Sequence, residues 1–356
     1  MDKKSNVKKK YDVKAYGLHC YNNVGNMLEV IYNRTRELLI QRPSEIMTEK
    51  IMVTGGTGFI GSHLVLELLK QGNEVVVIGN PATEKSKNLD LFNGKVEYFE
   101  KDVNDTLALT KLCKGVRYIY HLAAVSAVQK SIEDPLGTNH VNIDGTLSIL
   151  VAARDAGAQR VIFSSSADVY GNSKRIPKIE NMPAEPISPY ATQKLTGEQY
   201  MQQFSKFFAV ETISLRYFNV FGPRQNAKLP YANVVPLFIS LMKDGVAPTI
   251  YGDGSMMRDY VYVQDVIDAS ILATRSKVAS GEVYNVGSGI PTSIQMLFET
   301  IGKVLGISLT PQYDPRRFGD IHHSFADISK ACSTLEYKPK VFLEDGIRLV
   351  VKSLEP

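Results

Sequence analysis

The sequence predicts an α/β protein, a doubly wound parallel sheet with a smaller, loop-rich C-terminal lobe. Three observations predict it. From Lys50 onward, short apolar runs alternate with helix-length segments, the rhythm of strand–helix–strand units that build a parallel sheet covered on both faces. The first run, Ile51–Thr54, passes straight into a glycine-rich loop and then an amphipathic helix. After about Phe218 the rhythm weakens and Gly and Pro become denser, as in a lobe of loops set above the strand ends.

Strands are expected at Ile51–Thr54, Glu74–Ile78, Val96–Phe99, Tyr118–His121, Arg160–Ser164 and Thr212–Tyr217. Helices are expected at Ile60–Gln71, Thr106–Cys113, Asn142–Ala156 and Tyr190–Phe208. A first domain of residues 47–220 and a second of 221–356 follow, with some segments of the second returning to the first. At roughly 100–200 residues per domain, a chain of 356 residues holds about two such lobes. Residues 1–46 read differently: a lysine-rich start, a stripe of Met27, Ile31, Leu38 and Leu39, then Pro43. That segment is expected to be a basic extension outside the catalytic unit.

Composition narrows the function classes. Hydrophobic residues make up 44% and charged residues 22%, ordinary for a soluble globular protein. No run approaches the ~20 apolar residues of a membrane span. The N-terminal lysines have no apolar stretch behind them, so no secretory signal is expected either. The net charge of +4 is local: residues 1–46 hold nine Lys/Arg against five Asp/Glu, and the rest is balanced. A basic face for nucleic acid is therefore not expected. Cys20, Cys113 and Cys332 are odd in number and far apart, which fits a reducing cytoplasm and supports neither a disulfide framework nor a zinc site.

The glycine loop reads GGTGFIG, Gly55 to Gly61. Side chains at its glycines would block a tight turn and the approach of a pyrophosphate, while the helix start behind it offers free N–H groups and a positive dipole end. With a strand before and a helix after, the loop points to a dinucleotide, and Gly55, Gly58, Phe59, Ile60 and Gly61 are candidate contacts. Asp102, followed by Val103, is placed for adenine after the third strand. Leu122, Ala123 and Ala124 end the fourth strand with room for a ring against backbone. At the end of the second strand Gly79 stands where an acid for the adenosine ribose is expected. Asn80 can still reach the ribose, and no arginine stands beside it for a 2′-phosphate, although Lys85 and Lys87 follow. NAD rather than NADP is the expected cofactor.

The run SPYATQK, Ser188 to Lys194, sets Tyr190 and Lys194 four apart at a helix start, hence on one face. A tyrosine titrates near 10, so acting as a base near pH 7 requires its pKa to fall by roughly 3. An adjacent ammonium and an oxidised nicotinamide both favour the phenolate. Ser166, in the run Phe163–Ser166 at the end of the fifth strand, can face the same crevice and hydrogen-bond a reacting oxygen. Singly these are commonplace features, a surface helix pair and a loop serine. Their company with the glycine loop points to redox chemistry.

Together with HLAA at His121–Ala124, VN-x-x-GT at Val141–Thr146, SSS-x-x-VYG ending at Gly171, LRYFNVFGPRQ at Leu215–Gln225, GDGSMMRDYVYVQDV at Gly252–Val266 and YNVGSG at Tyr284–Gly289, these motifs resemble the extended short-chain dehydrogenase/reductase family. The UDP-hexose 4-epimerase branch is the nearest match, and the resemblance runs from about Lys50 to the C-terminus. It implies a Rossmann cofactor domain with Tyr190 as base, Lys194 as its tuner and nicotinamide-ribose ligand, and Ser166 as hydroxyl partner. It implies Asn219, Arg258 and Arg317 on the substrate diphosphate, Asn233 and Tyr251 near the nucleotide, and a homodimer. The implied activity inverts C4 of a nucleotide sugar through a transient 4-keto sugar. Such epimerases separate hexoses from N-acetylhexosamines partly through a residue after the segment matched by Arg317–Asp320, here Ser324. A small residue there leaves room for a 2-acetamido group, so UDP-GlcNAc and UDP-GalNAc are expected beside UDP-Glc and UDP-Gal.

Two alternatives stay open. Nucleotide-sugar dehydratases and decarboxylases of the family carry a Thr-Asp/Ser-Glu triplet where this chain has Ser166-Ala167-Asp168, with Asp168 one methylene shorter than their glutamate. A non-catalytic NAD(P) sensor would need the glycine loop but not Tyr190, Lys194 and Ser166 together. Adjacent His322 and His323 are expected to diverge on an extended segment, and no metal is expected.

Overall fold

A computed structural model describes residues 48–79, 87–228, 232–278, 280–316 and 321–355. The expectations for residues 1–46, Asn80, Lys85 and Arg317 lie outside the described residues. The strands are β1 (Lys50–Thr54), β2 (Glu74–Gly79), β3 (Glu97–Glu100), β4 (Tyr118–His121), β5 (Arg160–Ser166), β6 (Glu211–Tyr217), β7 (Asn219–Phe221), β8 (Thr249–Tyr251), β9 (Met257–Tyr262), β10 (Glu282–Val286), β11 (Pro291–Ser293), β12 (Gln312–Asp314) and β13 (His323–Ser324). The longer helices are α1 (Phe59–Lys70), α2 (Thr106–Leu112), α3 (Gly145–Ala156), α4 (Pro189–Phe207), α5 (Val234–Lys243), α6 (Val263–Arg275), α7 (Ile294–Leu305), α8 (Ser329–Leu335) and α9 (Leu343–Ser353). The helix expected from Asn142 becomes α-helical only at Gly145, because His140–Asp144 forms a turn of π-helix.

The main sheet runs β10-β6-β5-β4-β1-β2-β3, with every neighbouring pair parallel. The fold class read from the sequence is the observed one. After β3 the chain returns to lay β4 against the free side of β1, so a crevice opens beyond the C-terminal ends of β1 and β4. Alternation within β1 explains why both layers form. Ile51 and Val53 face Leu64, Val65 and Leu68 of α1 and Val266 and Ile267 of α6. Met52 points the other way, with Val76, Ile119 and Val161, onto Leu109 of α2, Ile149 and Leu150 of α3 and Met201 of α4. Strands covered on both faces need apolar residues at every position, which is why they read as unbroken runs. Each fully buried aliphatic side chain contributes about 1.5–3 kcal/mol.

Beyond β6 the chain passes through Phe218 into β7, which pairs in parallel with β9. β9 also pairs antiparallel with β11 and parallel with β13. Helices α5, α7 and α9 cover this smaller sheet with Phe238, Leu297, Ile301, Ile347 and Val350. β10 then returns to the edge of the main sheet beside β6. The stretch Tyr217–Val220 thus bridges the two sheets at the mouth of the crevice. No helix among the described residues is long and apolar enough to cross a membrane.

Candidate active site

The crevice is a cavity of about 820 Å³, within the range of small-molecule sites. Its floor at one end is the glycine loop. Gly55 has a φ of +68°, and a Cβ there would lie 2.8 Å from the Ala123 nitrogen. A Cβ on Gly61 would come within 2.1 Å of the Gly55 carbonyl oxygen. The loop therefore packs where only glycine fits, and Gly58, Phe59, Ile60 and Gly61 open the first turn of α1 onto the cavity. That turn carries no acid, leaving its N–H groups and dipole for an anion. Leu122 and Ala124 line the same wall, and the Ala123 N–H donates to Thr54 Oγ1 at 3.2 Å. These residues fit a dinucleotide pyrophosphate and ring. Asp102 and Val103 lie past β3 and do not line the cavity; Asp102 is exposed.

At the other end stand Ser164–Asp168, Tyr190 and Lys194. Helix α4 is aimed by its start: Ser188 Oγ accepts from Ala191 N at 3.1 Å, Pro189 takes the first position, and Tyr190 N donates to Ser131 Oγ at 3.0 Å. Tyr190 and Lys194 share a face, with Lys194 Nζ 5.9 Å from the Tyr190 ring centroid. Lys194 donates to the Ser164 carbonyl at 2.7 Å and lies over the Phe163 ring. Burial draws its pKa down to about 8, and Glu198 one turn on works the other way. Glu198 is held by a buried bidentate pair with Arg216, at 2.9 and 2.7 Å, and accepts from Ser165 Oγ.

The acidity expected of Tyr190 is not found in the protein alone. Burial and the Asp168 carboxylate push the phenol above its ordinary value, and a hydrogen bond from Ser166 only partly opposes them. The reason is desolvation: taking the phenol out of water disfavours its charged form more than the Ser166 hydrogen bond favours it. Ser166 also accepts from Asp168 N at 3.1 Å, capping the short turn Ala167–Tyr170 and turning Asp168 into the cavity. Burial raises the Asp168 carboxyl, while Arg258 across the cavity favours its charge.

Asn219, Asn233, Arg258 and Ser324 all line this cavity. Pairing of β13 with β9 sets Ser324 beside Arg258. Arg258 donates to the carbonyls of Met257, Ile321 and His322, which fix its guanidinium at the cavity edge. Tyr251, in β8, does not line the cavity. The His322 and His323 rings do not diverge as expected. They stack with centroids 4.2 Å apart, because the chain bends at His322 before β13 begins. Among the described residues no three potential metal ligands cluster.

Several supporting residues escaped sequence reasoning. Asn142, placed inward by the π-turn, accepts from Val125 N at 2.8 Å and donates to Gln193 Oε1 at 2.7 Å, tying the loop after β4 to helix α4. Its place in the VN-x-x-GT motif was the available signal. Ser131 gave none.

A glycine cradle at one end of a cavity and a buried tyrosine–lysine pair at the other define a dinucleotide-dependent enzyme of the short-chain dehydrogenase type. Residues 51–287 match the model of the NAD dependent epimerase/dehydratase family, and the chain belongs to that family. It is 37% identical over 303 residues to a "Putative UDP-glucose 4-epimerase" of Methanocaldococcus jannaschii, covering 85% of this chain and 97% of the relative. It is 31% identical over 318 residues to a UDP-N-acetyl-alpha-D-glucosaminuronate decarboxylase of Bacillus cytotoxicus, covering 86% and 98%. Among solved structures, the UDP-N-acetylglucosamine 4-epimerase of Methanobrevibacter ruminantium M1, in complex with UDP-N-acetylmuramic acid, superposes with a TM-score of 0.82 at 40% identity, over 86% of this chain and 98% of that one.

Proposed function

We propose that this chain is an NAD-dependent UDP-sugar 4-epimerase, acting on UDP-GlcNAc/UDP-GalNAc and also on UDP-Glc/UDP-Gal. The observation that carries the reading is the convergence of Tyr190, Ser166 and Ser324 on one cavity that continues to the glycine loop. NAD, when bound, supplies a reversible two-electron acceptor for the sugar carbon. Tyr190 removes the proton of the sugar 4-hydroxyl and later returns it. Ser166 holds the same oxygen and steadies the phenol. Lys194 sets the electrostatics of the pair and keeps a donor at the ribose side. Arg258 and Asn219 anchor the diphosphate, a task suited to a fixed guanidinium fork, so that the sugar can turn while the nucleotide stays.

Ser324, buried beside Arg258 and lining the cavity, supports the acetamido-sugar reading. The test is to assay both substrate pairs with the parent and Ser324→Tyr. Acetamido-sugar kcat/KM is expected to fall by at least about 100-fold, a steric loss of roughly 3 kcal/mol, with hexose activity kept. Unchanged acetamido-sugar activity in the variant removes Ser324 as the gate. The aligned Asp168 and the decarboxylase relative favour a second reading, a dehydratase or decarboxylase. Release of a 4-keto product or CO₂ without an epimer would establish it.

A further inference from the structure

Gly79 ends β2 where a dinucleotide fold places an acid for the adenosine ribose, and the neighbouring strand fills that place. A Cβ at residue 79 would lie 2.9 Å from Tyr98 Cε2, 3.1 Å from the Tyr98 hydroxyl and 3.2 Å from Thr57 Oγ1. Tyr98 belongs to β3, opposite Val77 of β2, and its ring packs on the apolar layer beneath those strands. Thr57 is a buried member of the glycine loop, and its carbonyl accepts from Asn88 Nδ2 at 2.8 Å, which ties the loop to the segment after β2. Two hydroxyls therefore converge on the point from which an acidic side chain would start. An acid at residue 79 and the Tyr98 ring in this position exclude one another.

We propose that the Tyr98 hydroxyl, beside Thr57, is the ligand of the adenosine ribose 2′-hydroxyl in this chain, a neutral group in place of the strand-end acid. The assignment rests on the reading of the cavity as an NAD site whose adenosine end extends past the cavity rim, since Thr57, Gly79 and Tyr98 do not line the cavity itself. A phenol hydrogen-bonds a ribose hydroxyl as a carboxylate does, but it puts no charge at the end of β2 to repel a 2′-phosphate. Among the described residues the carboxylates on that edge, Glu100 and Asp102, are exposed, and Asp102 Oδ1 already accepts from Asn104 N and Nδ2. Exposed charges are screened and discriminate little. Weak selection between NAD and NADP follows.

The test is calorimetric binding of NAD, NADP and adenosine-2′-deoxy-NAD to the full chain freed of dinucleotide and to Tyr98→Phe, which keeps the ring. The parent is expected to bind NAD and NADP within about tenfold of each other and the deoxy analogue about tenfold more weakly than NAD, one hydrogen bond's worth. Tyr98→Phe is expected to bind NAD and the deoxy analogue equally. A variant that keeps the parent's preference for NAD over the analogue overturns the assignment. So does a parent that disfavours NADP by more than about 100-fold, a result independent of how the variant folds. Failure to bind either dinucleotide rejects the cofactor reading as well, whereas tight NAD binding with unchanged discrimination rejects the Tyr98 role alone.

Discussion

Tyr190 has neighbours that pull in opposite directions. Asp168, from the turn after β5, raises its pKa, the Ser166 hydroxyl lowers it, and Lys194 lies over its ring from the same helix. Burial raises the Asp168 carboxyl, and Arg258 on β9 opposes that shift only in part. Burial and Asp168 together outweigh Ser166, so the phenol stays above its ordinary value. Removing the opposing carboxylate has a definite sign. In Asp168→Asn the phenolate becomes easier to form, so the acid limb of the kcat/KM profile should move to lower pH. A limb that stays in place, or moves upward, shows that Asp168 does not face the reacting phenol.

Helix α4 owes its position to a missing side chain. A Cβ on Gly197 would lie 2.5 Å from Phe163 Cζ, and Phe163 is only 1% exposed, so the ring has little room to yield. The helix can therefore approach β5 closely enough for Lys194 to reach the Ser164 carbonyl. Gly197→Ala gains about 1 kcal/mol of helix propensity but overpacks the contact at a cost of about 1–3 kcal/mol. The net expectation is a stability lower by up to about 2 kcal/mol and a kcat reduced about tenfold as Tyr190 and Lys194 shift from Ser166, by the sensitivity of catalysis to small displacements. A variant as stable and active as the parent would mean that the close approach does not set the site.

Across the whole molecule, His121 joins the layers. Its ring nitrogens meet Thr54 Oγ1 of β1 at 2.8 Å and Thr146 Oγ1 of α3 at 3.0 Å. Burial holds its pKa down to about 3, with the Lys194 charge adding to the effect. Unfolded, the same histidine titrates near 6.5. The folded-state value is depressed, so the full stability is present above pH 6.5. It is lost progressively as pH falls toward 3, because only the unfolded chain takes up the proton in that window. By pH 5.5 the loss is about 1.4 kcal/mol. Urea midpoints at pH 7.5 and 5.5 measure it, and in His121→Asn the change in stability between the two should be smaller by about that amount. An identical change in both proteins would sink the argument.

What the sequence determined by itself is what depends on a few consecutive residues. Apolar runs placed six strands of the main sheet, the glycine loop placed the cofactor end, and a spacing of four placed Tyr190 and Lys194 on one face. Backbone geometry fixes those relations whatever the rest of the chain does. Tertiary structure alone decided the rest: Asp168 against Tyr190, Ser324 beside Arg258 across 66 positions of chain, Tyr98 over Gly79, and the stacking of His322 on His323. Each depends on which strands lie side by side and on how far water is excluded. Desolvation, which raises the Tyr190 phenol in the protein alone, is a property of the assembled interior and is written in no local stretch of sequence.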